Sequence, residues 1–200
     1  LEKKWLISPL YKTGLLPLYA RRHIKDLTRN LREEVNIYTY RTPDYMLSSA
    51  QDYRHGYGGD QQHIWQATLA PDAVCFTTHP VDKNNQKDTP SYWTGSGNLP
   101  RVAQVNNVAI VVYHIPRSKG PYISETLKFT HAWLPRDQFD EVVERAPWIF
   151  ARKGDSYLAL CSQKSWRWQT DSGEDQNREI IADGRRNIWI CELGSQQENN

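Results

Sequence analysis

Six histidines are spread over the 200 residues, and His55, His63 and His79 stand beside loop-forming sequence. An imidazole titrates near pH ~6.5, so it can take up or release a proton at neutral pH. His63 lies in GYGGDQQHIWQATL (56–69), where a glycine-rich turn gives way to an alternating segment. Alternation predicts that His63, Trp65 and Ala67 share one face. On a cleft wall His63 would act as a base or a charge neutraliser, with Trp65 as a stacking surface and Gln62 as a polar contact. The competing reading has His63 hydrogen-bonded to a loop and packed beside Trp65. A second patch is SYWTGSGNLPR (91–101). Tyr92 and Trp93 supply ring faces, Asn98 and Arg101 supply donors, and the glycines let a backbone approach closely. Such a mixture suits a sugar, whose apolar side stacks on an aromatic ring while planar groups bind hydroxyls or carboxylates. In SWRWQ (165–169), Trp166 and Trp168 share one strand face, which makes them either a sugar platform or inter-sheet core.

Other chemistries lack their local signatures. There is no HxH or HExxH spacing, so no cofactor is expected; zinc or calcium would need ligands gathered from distant strands. No GxSxG motif or phosphate-binding loop occurs. Cys75, Cys161 and Cys191 each lie in an apolar run without CxxC spacing, which predicts buried free thiols. The net charge of +2 gives no argument for a nucleic-acid or membrane surface. No apolar run approaches the ~20 residues that span a bilayer. The chain begins at Leu1 rather than Met, and we read it as a segment of a longer protein.

The elements that must position these groups are mostly strands. Residues 1–31 form a mixed segment with breakers at Pro9, Gly14 and Pro17, and the spacing of Leu18, Ile24, Leu27 and Leu31 predicts one short helix. Strand patterns follow over 35–41, 44–53, 63–69, 73–80, 101–115, 126–135, 148–163, 165–169 and 178–194. Hairpin turns are expected at Asn106-Asn107, Lys153-Gly154-Asp155 and Asp183-Gly184. The polar stretch 81–98 reads as a long loop, residues 138–147 as a helical turn or polar connection, and 195–200 as a polar tail. This rhythm predicts a mainly β protein: an antiparallel β-sandwich over 32–194, of the supersandwich type, with one short N-terminal α-helix.

Several stretches together carry a resemblance: YRTPDYMLSSAQDYR (40–54), QQHIWQATL (61–69), YWTGSGNLPRVAQ (92–104), GDSYLAL (154–160) and NIWICELG (187–194). They resemble the C-terminal sandwich region of heparinase II/III-like polysaccharide lyase-type proteins, in which an α/α toroid precedes antiparallel sheets. The resemblance implies β-elimination on a uronic-acid glycan, with His63, Arg101 and Tyr92 as the sandwich's catalytic contribution. It also implies an acidic polysaccharide or oligosaccharide as ligand and the parent's toroid as partner. The parent would be secreted or periplasmic, with a cytoplasmic one left open. The alternative is a non-catalytic carbohydrate-binding module, or a support and assembly module that packs on a toroid or on its own copies.

Overall fold

Alternation of apolar and polar residues makes many of the strands amphipathic, and two such sheets bury their apolar faces against one another. A computed structural model of the chain describes residues 4–23, 34–56, 58, 63–81, 92–93, 96–116 and 126–199. Gln62 and most of the expected 81–98 loop lie outside the described residues. The chain divides into two compact units, 1–33 and 34–200. The first holds helices α1 (Lys4–Lys12) and α2 (Leu16–Arg22) rather than a single helix. Proline is tolerated in the first turn of a helix, where its missing N–H has no intrahelical acceptor, so Pro17 opens α2. Pro9 is accommodated within α1. Helix α2 ends at Arg22, and the rest of the expected helix lies outside the described residues.

The second unit is an antiparallel β-sandwich. One sheet has seven strands in the order β1-β2-β3-β4-β7-β12-β11 and the other six in the order β5-β6-β13-β10-β9-β8. The seven-stranded sheet comprises β1 (Asn36–Arg41), β2 (Met46–Gln51), β3 (Trp65–Thr68), β4 (Val74–Thr78), β7 (Phe129–Trp133), β11 (Trp166–Trp168) and β12 (Glu179–Asp183). The six-stranded sheet comprises β5 (Arg101–Val105), β6 (Val108–His114), β8 (Glu141–Arg145), β9 (Trp148–Lys153), β10 (Ser156–Ser162) and β13 (Arg186–Ser195).

Two of the expected hairpins form. Asn106 takes φ 50° between β5 and β6, and Gly154 takes φ 59° between β9 and β10. The third expectation fails. Around Gly184 the chain leaves one sheet for the other, because β12 pairs with β7 and β11 whereas β13 pairs with β6 and β10. Both strands are apolar enough to sit at the centre of a sheet, so neither needs the other as a neighbour. Residues 141–145 form β8 instead of a helical turn or connection. Residues Val142 and Val143 place one apolar side chain on each face, which suits an edge strand. The tail also departs from expectation: β13 runs to Ser195, and Glu198 accepts hydrogen bonds from the Tyr45 hydroxyl (2.8 Å) and the Ser195 N–H (2.9 Å).

The core lies between the sheets and includes Leu47, Trp65, Tyr113, Leu160, Trp189 and Leu193. Two polar bridges cross it. Trp65 Nε1–H donates to the Thr77 hydroxyl (2.8 Å), which lies 3.1 Å from the Tyr113 hydroxyl on the opposite sheet. Trp189 Nε1–H donates across to the Thr130 hydroxyl (2.9 Å). These bonds satisfy indole donors that burial would otherwise leave costly. Cys75 and Cys191 are buried free thiols; Cys161 is free but only half-buried. Trp65→Phe should lower stability by about 1–2 kcal/mol, the scale of one buried hydrogen bond, and Trp65→Ala by about 3–5 kcal/mol. Urea unfolding midpoints at constant m-value measure both; equal losses would mean that the bridge contributes nothing beyond volume.

Candidate functional site

The outer face of the seven-stranded sheet carries polar groups where a solvated strand would usually carry them, yet here they are buried. Phe129, His131 and Trp133 point outward from β7, while Thr130 and Ala132 point to the core. By register Thr78 sits directly opposite His131, and Glu179 sits opposite Trp133. His131 and Glu179 have fully buried side chains. A carboxylate only accepts, so His131 Nδ1–H donates to Glu179 Oε1 (2.6 Å), and the Thr78 hydroxyl faces the other ring nitrogen at 2.5 Å. The Tyr92 hydroxyl donates to the same carboxylate oxygen. Burial and that hydrogen bond hold the Tyr92 phenol well above its ordinary pKa.

Tyr92, Trp93 and residues 96–100 form the cover. Trp93 stacks on the His131 imidazole at 3.9 Å with the planes 8° apart, and meets Trp133 edge-on at 5.1 Å. Its indole N–H donates to Asp175 Oδ1 (2.9 Å). His63 Nε2–H donates to the Trp93 carbonyl (3.1 Å), and the His63 ring lies 4.3 Å from that of Phe76. His63 therefore bonds a loop, as its competing reading had it, while its ring remains exposed. Its ring neighbour is Phe76 and not Trp65. Residue 63 precedes β3, so strand alternation does not extend to it, and Trp65 turns into the core.

Glycines decide how the cover joins the rest. A Cβ on Gly58 would come within 2.0 Å of the Gly97 carbonyl oxygen, and one on Gly97 within 2.9 Å of His79 Nδ1. Only glycine permits the Gly58 and Gly97 backbones to meet, and the Gly97 backbone to lie on the His79 ring, at such distances. His79 is buried beneath this seam. Its Nε2–H donates to the Leu127 carbonyl (2.9 Å), and its Nδ1 has no hydrogen-bond partner among the described residues. Burial pushes its pKa down to about 4. Asn98, also buried, donates to the Leu99 and His114 carbonyls (3.3 and 3.5 Å). It is a packing residue, not an exposed donor.

Arg101 belongs to a different group. It opens β5 in the six-stranded sheet and donates through Nη2–H to His55 Nε2 (3.0 Å). Its Nε lies 3.3 Å from Asp52 Oδ1, and His55 Nδ1 lies 3.2 Å from the same oxygen. An imidazole accepting at Nε2 carries its proton at Nδ1, which directs it to Asp52. The supporting turn takes left-handed φ at Asp52 (47°), Arg54 (45°) and Gly56 (75°). Backbone bonds from Asp52 N–H to the Val102 carbonyl (3.0 Å) and from Gly56 N–H to the Leu99 carbonyl (2.9 Å) hold it. For residues other than glycine that conformation is costly and favours positions fixed for a purpose.

The expected site residues thus fall into distinct places. His63, Tyr92 and Trp93 come together; Arg101 joins Asp52 and His55; Trp65 and Asn98 are interior. Trp166 and Trp168 pack half-buried against the core, and Trp166 Nε1–H donates to the Pro147 carbonyl (3.1 Å), so they read as core rather than as a sugar platform. Sequence reasoning missed Thr78, His131, Glu179, Asp175 and Asp52. Among the described residues no group of three or more His, Cys, Asp or Glu side chains is arranged to hold a metal ion.

The buried imidazole of His79 yields a signed pH dependence. In the unfolded chain it takes a proton as the pH falls through ~6.5, whereas in the folded protein it resists protonation until about pH 4. Its contribution is intact above the unfolded value and is lost as the pH falls toward 4, by at most about 3 kcal/mol. Urea unfolding of the parent and of His79→Gln between pH 7.5 and 4 should show a shallower fall for the variant; parallel curves would count against the assignment.

Comparison with protein-family models, with curated proteins and with solved structures returns no match for this chain.

Proposed function

We propose that the chain is the sandwich part of a carbohydrate-active protein that acts on uronic-acid glycans by β-elimination. In this reading one end of the sandwich forms the rim that faces the glycan. The observation that carries it is the seam at Gly58 and Gly97. On one side of that seam stand exposed His63 and half-buried Trp93, and on the other Arg101 with His55. Aromatic surface, cationic donors and close-packed backbone are the parts that recognition of an acidic sugar requires.

β-Elimination breaks the C–H bond alpha to the carboxylate and the C–O bond beta to it as the C=C bond forms. One group takes the proton, a cation holds the carboxylate and an acid protonates the leaving oxygen. Tyr92 is a poor base in this arrangement, because its hydroxyl is committed to Glu179 and its pKa is raised. His63 keeps an exposed imidazole, so we assign it the proton-handling role on this segment. Arg101 holds the carboxylate by exchanging its contact with Asp52 for the ligand. The burial of His131, Glu179 and Tyr92 favours a second reading, a binding rim without chemistry of its own. The remaining catalytic groups would then come from a partner domain.

Two measurements separate these readings. Arg101→Ala should weaken binding of an acidic oligosaccharide about tenfold or more, the scale of a lost charge-assisted contact, and leave a neutral one nearly unchanged. Equal losses on both would remove the carboxylate role. In the parent protein, His63→Ala should lower formation of the unsaturated product by about a hundredfold, as expected for a lost acid–base group. Unchanged activity there, with glycan binding kept, would leave the rim as a binding module only.

A further inference from the structure

Among the described residues nothing covers the outer face of the six-stranded sheet. Two of its rows are mainly apolar, while Arg101, His114, Glu141, Arg152 and Arg186 border them. By register Ala103, Ile110, Ile190, Cys161, Trp148 and Arg145 form one row across its strands. The next row runs Val105, Val108, Glu192, Ala159, Phe150 and Val143. Only the arginine and the glutamate are charged. Ile110 is 43% exposed, Phe150 42% and Val105 70%. An antiparallel sheet that faces water on one side ordinarily carries polar residues there, and a contiguous apolar patch marks an interaction surface.

The pattern along β13, third of the six strands, identifies the occupant. Its outward residues are Arg186, Ile188, Ile190 and Glu192 in that order. Read against its own copy in the antiparallel direction, the strand matches itself: Arg186 meets Glu192 of the second copy, and Ile188 meets Ile190. Neither Arg186 nor Glu192 has an ion-pair partner within the chain among the described residues, and both are exposed. The face also has the necessary size. Six strands at ~4.8 Å spacing and two rows ~6.8 Å apart give a projected footprint of roughly 400 Å² for the apolar rows. The accessible area of a corrugated surface exceeds its projection, which brings the face toward the ~800 Å² per partner of a standard interface.

We propose that this face packs on the same face of a second copy of the chain, about a two-fold axis crossing β13 between Ile188 and Ile190. Self-complementarity of one patch is what a two-fold interface demands. Facing sheets ~10 Å apart leave room for the isoleucines to interdigitate and for the Arg186–Glu192 pairs to close at both ends. The seam and the Trp93 cover lie on other surfaces of the sandwich, whereas Arg101 shares this face at its edge, two residues before Ala103 on β5.

The test is the mass of the intact 200-residue chain in solution, by light scattering or sedimentation over a range of concentrations. A mass near twice 23.3 kDa is expected. Ile190→Lys should return it to one chain, whereas Ile37→Lys, at an exposed position on the other sheet, should not. Arg186→Glu and Glu192→Arg should each weaken association by at least tenfold at low salt, and the double reversal should restore it. Circular dichroism confirms that each variant is folded. A single-chain mass for the parent at every concentration overturns the proposal and gives the face to a different occupant. A dimer that survives Ile190→Lys, or a double reversal no better than either single change, overturns the two-fold arrangement.

Discussion

Burial of an ion-pairing carboxylate beside an imidazole is the constraint to which the rest of this sandwich answers. Glu179 and His131 sit on the outer face of a sheet, where water would normally solvate them, yet both are fully buried. A carboxyl group removed from water is tolerable only when it is hydrogen-bonded, and His131 and Tyr92 both donate to Glu179 Oε1. The register of β4, β7 and β12 supplies Thr78 and aligns the pair. The cover supplies the Tyr92 hydroxyl and the Trp93 ring. Tyr92 and Trp93 are thus bound to the sheet by polar chemistry as much as by apolar contact.

That anchoring has a consequence for the end of the sandwich. Because Trp93 is held, its carbonyl is in place for His63; because Gly97 lies on His79, the segment passes close enough for Gly58 to meet it. The exposed imidazole and the half-exposed indole are therefore preorganised by contacts beneath them. On the far side of the seam the left-handed turn at Asp52 and Arg54 does the same for His55 and Arg101. Rigid support under exposed polar groups is the condition for recognising a ligand without a large ordering cost.

The two outer faces of the sandwich differ in kind. One buries its polar residues beneath Tyr92 and Trp93, and the other leaves Val105, Ile110, Val112 and Phe150 exposed. Tyr92 and Trp93, between β4 and β5, lie over the seven-stranded sheet, whereas β5–β6, β8–β9 and β9–β10 of the other sheet are joined by short turns. A face without a cover from its own chain is the one available to another.

Local pattern was sufficient for part of this. Period-two alternation identified nearly all the strands, and Asn106-Asn107 and Lys153-Gly154-Asp155 announced their turns, because side-chain direction and turn geometry depend on near neighbours alone. The same reasoning brought out His63, Trp93 and the glycines, whose residue types are unusual for their places. It failed where partners are distant in the chain. Nothing near Asp183-Gly184 indicates that the two flanking strands belong to different sheets. Glu179 and His131 are separated by 48 positions, and each looks like a solvated strand residue until the register places them together. His63 and Arg101 adjoin strands of different sheets, a placement that no local pattern gives. Sequence by itself determined that the chain folds as amphipathic β-strands with free thiols and no local metal or nucleotide motif. Tertiary structure alone decided which polar groups are buried, which imidazole stays exposed and which sheet face is left bare, because those outcomes depend on strand order and register, and neither is a local property of the chain.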